Sequence, residues 1–192
     1  MGAKVRWRRG AVPALAIAGM LITSSVAIAQ TGGAAPPPGT PGTTPATPVP
    51  PPTTTPGLAT LQPDGSALAP PDAPRNVRKA INAANKIRYK PYLWGGGHRS
   101  WKAKGYDCSG AVSYVLHAAG LLKKPMTSGD LARRWGSYGL GQWITVYANR
   151  SHTYAVIAGL RWDTSDTGGS GPGWHTDMRS SAGYIARHPN GY

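Results

Sequence analysis

Of the 19 prolines in this 192-residue chain, 14 fall between Pro36 and Pro74, and that skew limits what can fold. From Thr31 to Pro74 the chain is mostly Pro, Thr, Gly and Ala and holds neither Lys nor Arg. Such a stretch buries too little apolar surface to offset the entropy of ordering it. Residues 30–74 therefore read as a disordered, extended Pro/Thr-rich arm whose threonines are candidate O-glycosylation sites. What remains for a hydrophobic core is one domain, 75–192.

The start of the chain reads differently. Lys4, Arg6, Arg8 and Arg9 are followed by an apolar stretch, Ala11 to Ile22, and by the small-x-small run Ala27-Ile28-Ala29. That is the layout of a secretory signal covering 1–29, with cleavage before Gln30. The apolar stretch is too short and interrupted for a stable membrane span, the competing reading being an uncleaved N-terminal anchor. The expected location is outside the cell, in the wall or periplasm.

Export makes the single cysteine informative. Structural cysteines of oxidising compartments come in pairs, so a lone one is an intermolecular link, a reactive thiol or a buried structural residue. Cys108 lies in Asp107-Cys108-Ser109-Gly110, ahead of Ala111, Val112, Val115, Leu116 and Ala119. Those spacings predict a helix that begins at the cysteine and ends at Gly120. Unpaired N–H groups at a helix start favour a thiolate, which singles Cys108 out as a nucleophile.

The rest of the domain divides in two. Val77, Ala80, Ile81, Ala84 and Ile87 predict an earlier helix with Pro74 as its first residue and a stop before Pro91. Thr127 or Ser128 is placed to cap a short third helix through Trp135. Beyond Gly141 the period changes to two: Trp143–Tyr147, His152–Ile157 and Leu160–Asp163 read as strands, with a further one over Gly183–Arg187. Helices followed by an antiparallel run give an α+β domain, N-terminal helices on a small sheet.

A thiolate nucleophile needs a base and a group to orient that base. His152 opens a strand whose mouth faces the start of the Cys108 helix, and it is the preferred base. His98, His117 and His188 read as loop or surface residues. With a turn centred on Ala158 and Gly159, Asp163 falls diagonal to His152 and within reach as the orienter, with His175 as the competitor.

Pro91-Tyr92-Leu93-Trp94-Gly95-Gly96, followed by Asp107-Cys108-Ser109-Gly110 and an aliphatic helix, resembles the first half of an NlpC-type domain. That family comprises papain-like cysteine peptidases, many of which cut peptidoglycan stem peptides. The likeness covers Pro91 to Gly120 and extends less closely to Asp163. It implies Cys108 as nucleophile, His152 as base, Tyr92 beside the site, and Asp107 and Ser109 as ligands for the free amino end of a stem peptide. Three departures stand out. Gly141-Gln142-Trp143 replaces the frequent Gly-Asp-Leu, His152-Thr153-Tyr154 replaces His-Val-Gly, and Asp163 stands where a histidine is common.

The expected activity is cleavage of a stem-peptide amide bond through a thioester, without metal or organic cofactor. An amidase or transacylase using the same pair, and a non-catalytic wall-binding protein, are the alternatives. With 21 Lys+Arg against 7 Asp+Glu the chain carries a net charge of +14. No nucleic-acid motif accompanies this charge, so the expected partners are peptidoglycan and anionic cell-wall polymers or lipid surfaces, with no nucleic acid. Trp94, Trp101, Trp162 and Trp174 are candidates for stacking on sugars. A monomer is expected.

Overall fold

The computed structural model describes residues 55–190. The signal segment 1–29 and most of the Pro-rich arm lie outside the described residues.

The first described element lies inside the segment read as an arm. Strands β1 (Thr60–Leu61) and β2 (Ala67–Leu68) form a hairpin, and Ala59, Ala67 and Ala73 are buried in the core. The folded domain thus begins well before residue 75, which corrects the boundary read from composition. The reason is side-chain bonding that a proline count does not register. Asn85, on the first helix, donates to the Ala67 carbonyl and accepts from the Ala67 N–H, both at 2.9 Å. Its Oδ1 also accepts from Trp174 Nε1 at 2.9 Å. The Ala59 N–H donates to the Ala158 carbonyl at 2.7 Å.

Helix α1 (Arg75–Ile87) buries Val77, Ala80, Ile81, Ala84 and Ile87, the stripe its periodicity predicts. Pro74 sits at the N-cap, one residue ahead of the helix. Helix α2 (Cys108–Ala118) begins at the cysteine. It ends in paired bonds, Leu121 N–H to the Leu116 carbonyl and Gly120 N–H to the His117 carbonyl, both 2.8 Å, with Gly120 at φ 77°. Helix α3 (Ser128–Arg134) is capped by Thr127, whose side chain accepts from the Asp130 N–H at 3.2 Å.

Six strands follow: β3 (Ser137–Tyr138), β4 (Ile144–Ala148), β5 (Thr153–Ile157), β6 (Leu160–Asp163), β7 (Gly173–His175) and β8 (Ile185–His188). They form one antiparallel sheet in the order β3-β8-β4-β5-β6-β7. The fold is α+β, as expected. The turn between β5 and β6 centres on Ala158 (φ 46°) and Gly159 (φ 83°), so Ile157 pairs with Leu160 and Ala155 with Trp162. Alternation sends Ala155, Ile157, Leu160 and Trp162 into the helix-packed core. Tyr154, Arg161 and Asp163 take the other face and are also buried. There Tyr147 and Tyr154 stack at 4.9 Å and Tyr184 meets Tyr154 edge-on at 5.2 Å. Trp162 and Trp174 are buried core residues, whereas Trp94 is 85% exposed. Among the described residues no helix is long and apolar enough to cross a membrane.

Candidate active site

The site starts from a capped helix. Asp107 has extended backbone and its Oδ1 accepts from the Gly110 N–H at 2.7 Å, an N-cap that places Cys108 as the first helical residue. The glycine loop is drawn onto the same turn. The Gly95 N–H donates to Asp107 Oδ2 at 3.0 Å, and the Asp107 N–H donates to the Gly96 carbonyl at 3.3 Å. The approach is so close that a Cβ on Gly110 would lie 1.9 Å from the Gly96 oxygen. Gly110→Ala is therefore expected to cost about 1–3 kcal/mol by overpacking, read by denaturant unfolding. It should also slow Cys108 alkylation, because the loop must move off the helix start.

His152 stands one residue ahead of β5. Its Nε2 bonds to Asp163 Oδ1 at 2.8 Å, with Ser165 Oγ at 3.4 Å from the same nitrogen. Burial works against a charge on His152. The hydrogen bonds to Asp163 and Cys108, with the charges of both, more than offset it and raise the imidazole from 6.5 to about 9. Asp163 is also buried, yet bonds from His152, the Ser165 N–H and Arg179 hold its carboxyl well below the usual range.

The sign of the linkage follows. Because the folded imidazole titrates above its ordinary value, its stabilising contribution is complete below about pH 6.5 and is lost as pH rises through about 9. Asp163, shifted the other way, keeps its contribution at neutral pH and loses it only in strong acid. Nuclear magnetic resonance titration of His152 is expected to show a midpoint near 9 in the wild type. Cys108→Ala should lower that midpoint, since it removes one of the two bonds that raise it. An unchanged midpoint would mean that the sulfur and the imidazole do not interact.

Asp163 is held from its other side as well. Its Oδ2 accepts from Arg161 Nη1 and Arg179 Nη1, each at 2.9 Å. Arg161 is fully buried, and Arg179 lies over the rings of Tyr154 and Tyr184. His175, the competing orienter, is on β7, where its Nδ1 lies 4.0 Å from Asp177 and its buried Nε2 has no hydrogen-bond partner among the described residues. The position next to His152 belongs to Asp163.

Cys108 lies on the wall of a cavity of about 650 Å3 with Tyr92, Trp94, His98, Asp107, Ser109 and Arg150. Burial, then Cys108 and Asp107, raise the Tyr92 phenol. His98 lies in the glycine loop, as expected, and from there it also lines the Cys108 cavity. Its Nε2 is 3.1 Å from both Asp107 Oδ1 and Ser109 Oγ, and the Asp107 bond raises its imidazole. Ser109 Oγ also donates to Asp107 Oδ1 at 3.1 Å. Thus Asp107 Oδ1 is saturated inside the protein, and Oδ2 retains accepting capacity beyond its bond from Gly95. His152 and Asp163 are bonded to each other, Cys108 is near enough to His152 to act on its imidazole, and Tyr92, Asp107 and Ser109 share the cavity of Cys108.

No protein-family model matches the chain, and no curated protein matches it either. Among solved structures it is similar to the peptidoglycan hydrolase RipB from Mycobacterium tuberculosis, at 24% identity over 65% of this chain and 74% of that one, with a TM-score of 0.49. A hypothetical invasion protein of Mycobacterium tuberculosis is similar at 22% identity, over 68% and 71% of the two chains, with a TM-score of 0.45. A Staphylococcus aureus protein, described as similar to a lipoprotein of the NLP/P60 family, is 17% identical over 60% of this chain and 41% of that one, with a TM-score of 0.41.

Proposed function

We propose that this chain is an exported cell-wall hydrolase of the NlpC type that cleaves an amide bond in peptidoglycan stem peptides. The observation that carries the reading is the position of His152, bonded on one side to a buried, ionised carboxylate and facing on the other the thiol at the start of α2. An imidazole held that way accepts and returns a proton without losing its orientation.

In this reading the Cys108 sulfur attacks the carbonyl carbon of the scissile amide. The oxyanion meets the N–H groups of Cys108 and Ser109, the Gly110 N–H being taken by Asp107. His152 gives its proton to the departing amine as the C–N bond breaks, leaving a thioester on Cys108. Water then attacks the thioester, His152 takes up one of its protons, the C–S bond breaks to restore the Cys108 sulfur, and the carboxylic acid leaves, losing its proton to solvent. Tyr92 and Ser109 border the peptide, and Asp107 offers the free side of Oδ2 to its amino end.

The test is direct. Purified peptidoglycan incubated with the full chain should yield fragments with new amino and carboxyl ends by mass spectrometry. Pretreatment with iodoacetamide should stop their appearance. Release that continues after complete alkylation of Cys108 would end the reading.

A further inference from the structure

Away from the Cys108 cavity, four lysines converge on a second cleft of about 360 Å3. Lys86 and Lys90 come from the last turn of α1 and the residues just beyond it, and Lys102 and Lys104 from the loop that leads to α2. Trp101, Tyr106 and Tyr114 wall the space between them. The walls are fixed in advance. The Tyr106 hydroxyl donates to the Trp101 carbonyl at 2.6 Å and accepts from the Ala103 N–H at 3.3 Å. The Trp101 indole lies flat on His117, with ring centroids 4.0 Å apart.

Among the described residues no acidic side chain neutralises this cluster. The sequence has 7 acidic residues, and each is engaged elsewhere. Asp64 pairs with Arg88, and Asp72 accepts from the Gly57 N–H. Asp107 caps α2, and Asp130 holds Arg133 and Arg134. Asp163, Asp166 and Asp177 surround Arg161. Among the described residues no carboxylate lines the cleft and none of the four lysines makes an ion pair. Helix electrostatics accounts for Lys86, which sits at a C-terminal turn where a cation is favoured. It does not account for the other three, which lie outside any helix.

We propose that this cleft binds an anionic glycan, a sugar chain carrying phosphate or carboxylate groups. Exposed lysines lining one cleft with aromatic side chains complement a ligand that alternates charges with apolar ring faces, and a concave site favours a chain over a flat bilayer. This site is separate from the Cys108 chemistry and does not depend on it.

The test is binding of the full chain to polygalacturonate and to dextran phosphate, with neutral dextran, a single-stranded DNA oligonucleotide and phosphatidylglycerol vesicles as comparisons. Both anionic glycans should bind in a salt-sensitive way and neutral dextran should not. The variant K102Q/K104Q should weaken both about tenfold, the size expected for two partly screened charge pairs. The variant K86Q/K90Q/K102Q/K104Q should abolish the salt-sensitive component. The control K123Q/K124Q, a pair of exposed lysines outside the cleft, should bind like the wild type. Four results would overturn the proposal: equal losses in the control, full binding by the quadruple variant, equal binding of neutral dextran, or tighter cleft-dependent binding of DNA or vesicles than of either anionic glycan.

Discussion

Replacing Cys108 by Ala is expected to reduce the release of peptide fragments from purified peptidoglycan by at least about a thousandfold, because removing a nucleophile disables a unit that works only when whole. Cys108→Ser should fail almost as badly, since a hydroxyl is a weaker nucleophile than a cysteine sulfur. Neither change should unfold the protein. Cys108 is 9% exposed and makes no disulfide, and the cap that defines the helix start comes from Asp107. Equal thermal midpoints with a lost activity separate chemistry from folding. Undiminished release by Cys108→Ala would overturn the assignment of the nucleophile. The His98–Asp107–Ser109 cluster should be intact in both variants, so the NMR signal of His98 serves as an internal check.

Arg161→Met is expected to destabilise the fold by about 3 kcal/mol, near the low end for breaking a buried ion pair. The reasoning rests on which of its contacts are buried. Arg161 donates to Asp163 Oδ2 at 2.9 Å, to Asp166 Oδ2 at 3.0 Å, to Asp177 Oδ2 at 2.9 Å and to the Asp177 carbonyl at 3.0 Å. The Asp166 and Asp177 side chains are 65% and 72% exposed, so water screens those two pairs and they contribute little. The energy sits on Asp163, which is wholly buried. Without Arg161 that carboxylate keeps, among the described residues, Arg179, His152 and the Ser165 N–H. Chemical denaturation measures the loss, and the double variant R161M/D163N should lose less than the two single changes added together. A loss under about 1 kcal/mol, or strict additivity, would show that the pair is not a structural element.

The parts of the site legible in the sequence were those written in local patterns. The apolar spacing after Cys108 and the closing Gly120 gave the helix, whereas the capping role of Asp107 came only with the structure. The diagonal relation of His152 and Asp163 followed from one turn, Ala158-Gly159, because strand register propagates in steps of two. What escaped was non-local. His98 reaches Asp107 only because three glycines let one loop fold against a helix start, and nothing periodic marks that approach. The arginines behind Asp163 come from a strand and a distant loop, and the loop residue carried no pattern at all. Strand β3 is too short to announce itself, and β8 inserts between β3 and β4 by long-range pairing. The β1–β2 hairpin was hidden by composition, since its bonds run through Asn85 in the following helix.

That hairpin is fastened to the sheet as well as to α1. The Ala59 N–H is bonded to the carbonyl of Ala158, and Leu58 lies over Gly159, where an added Cβ would come within 2.6 Å of it. Those are the turn residues that set the offset between the strands bearing His152 and Asp163. Shortening the chain to begin at Pro74 would uncover that turn and free Asn85 from Ala67. The first consequence would be a looser His–Asp pair on the far side of the sheet, and only afterwards a frayed end.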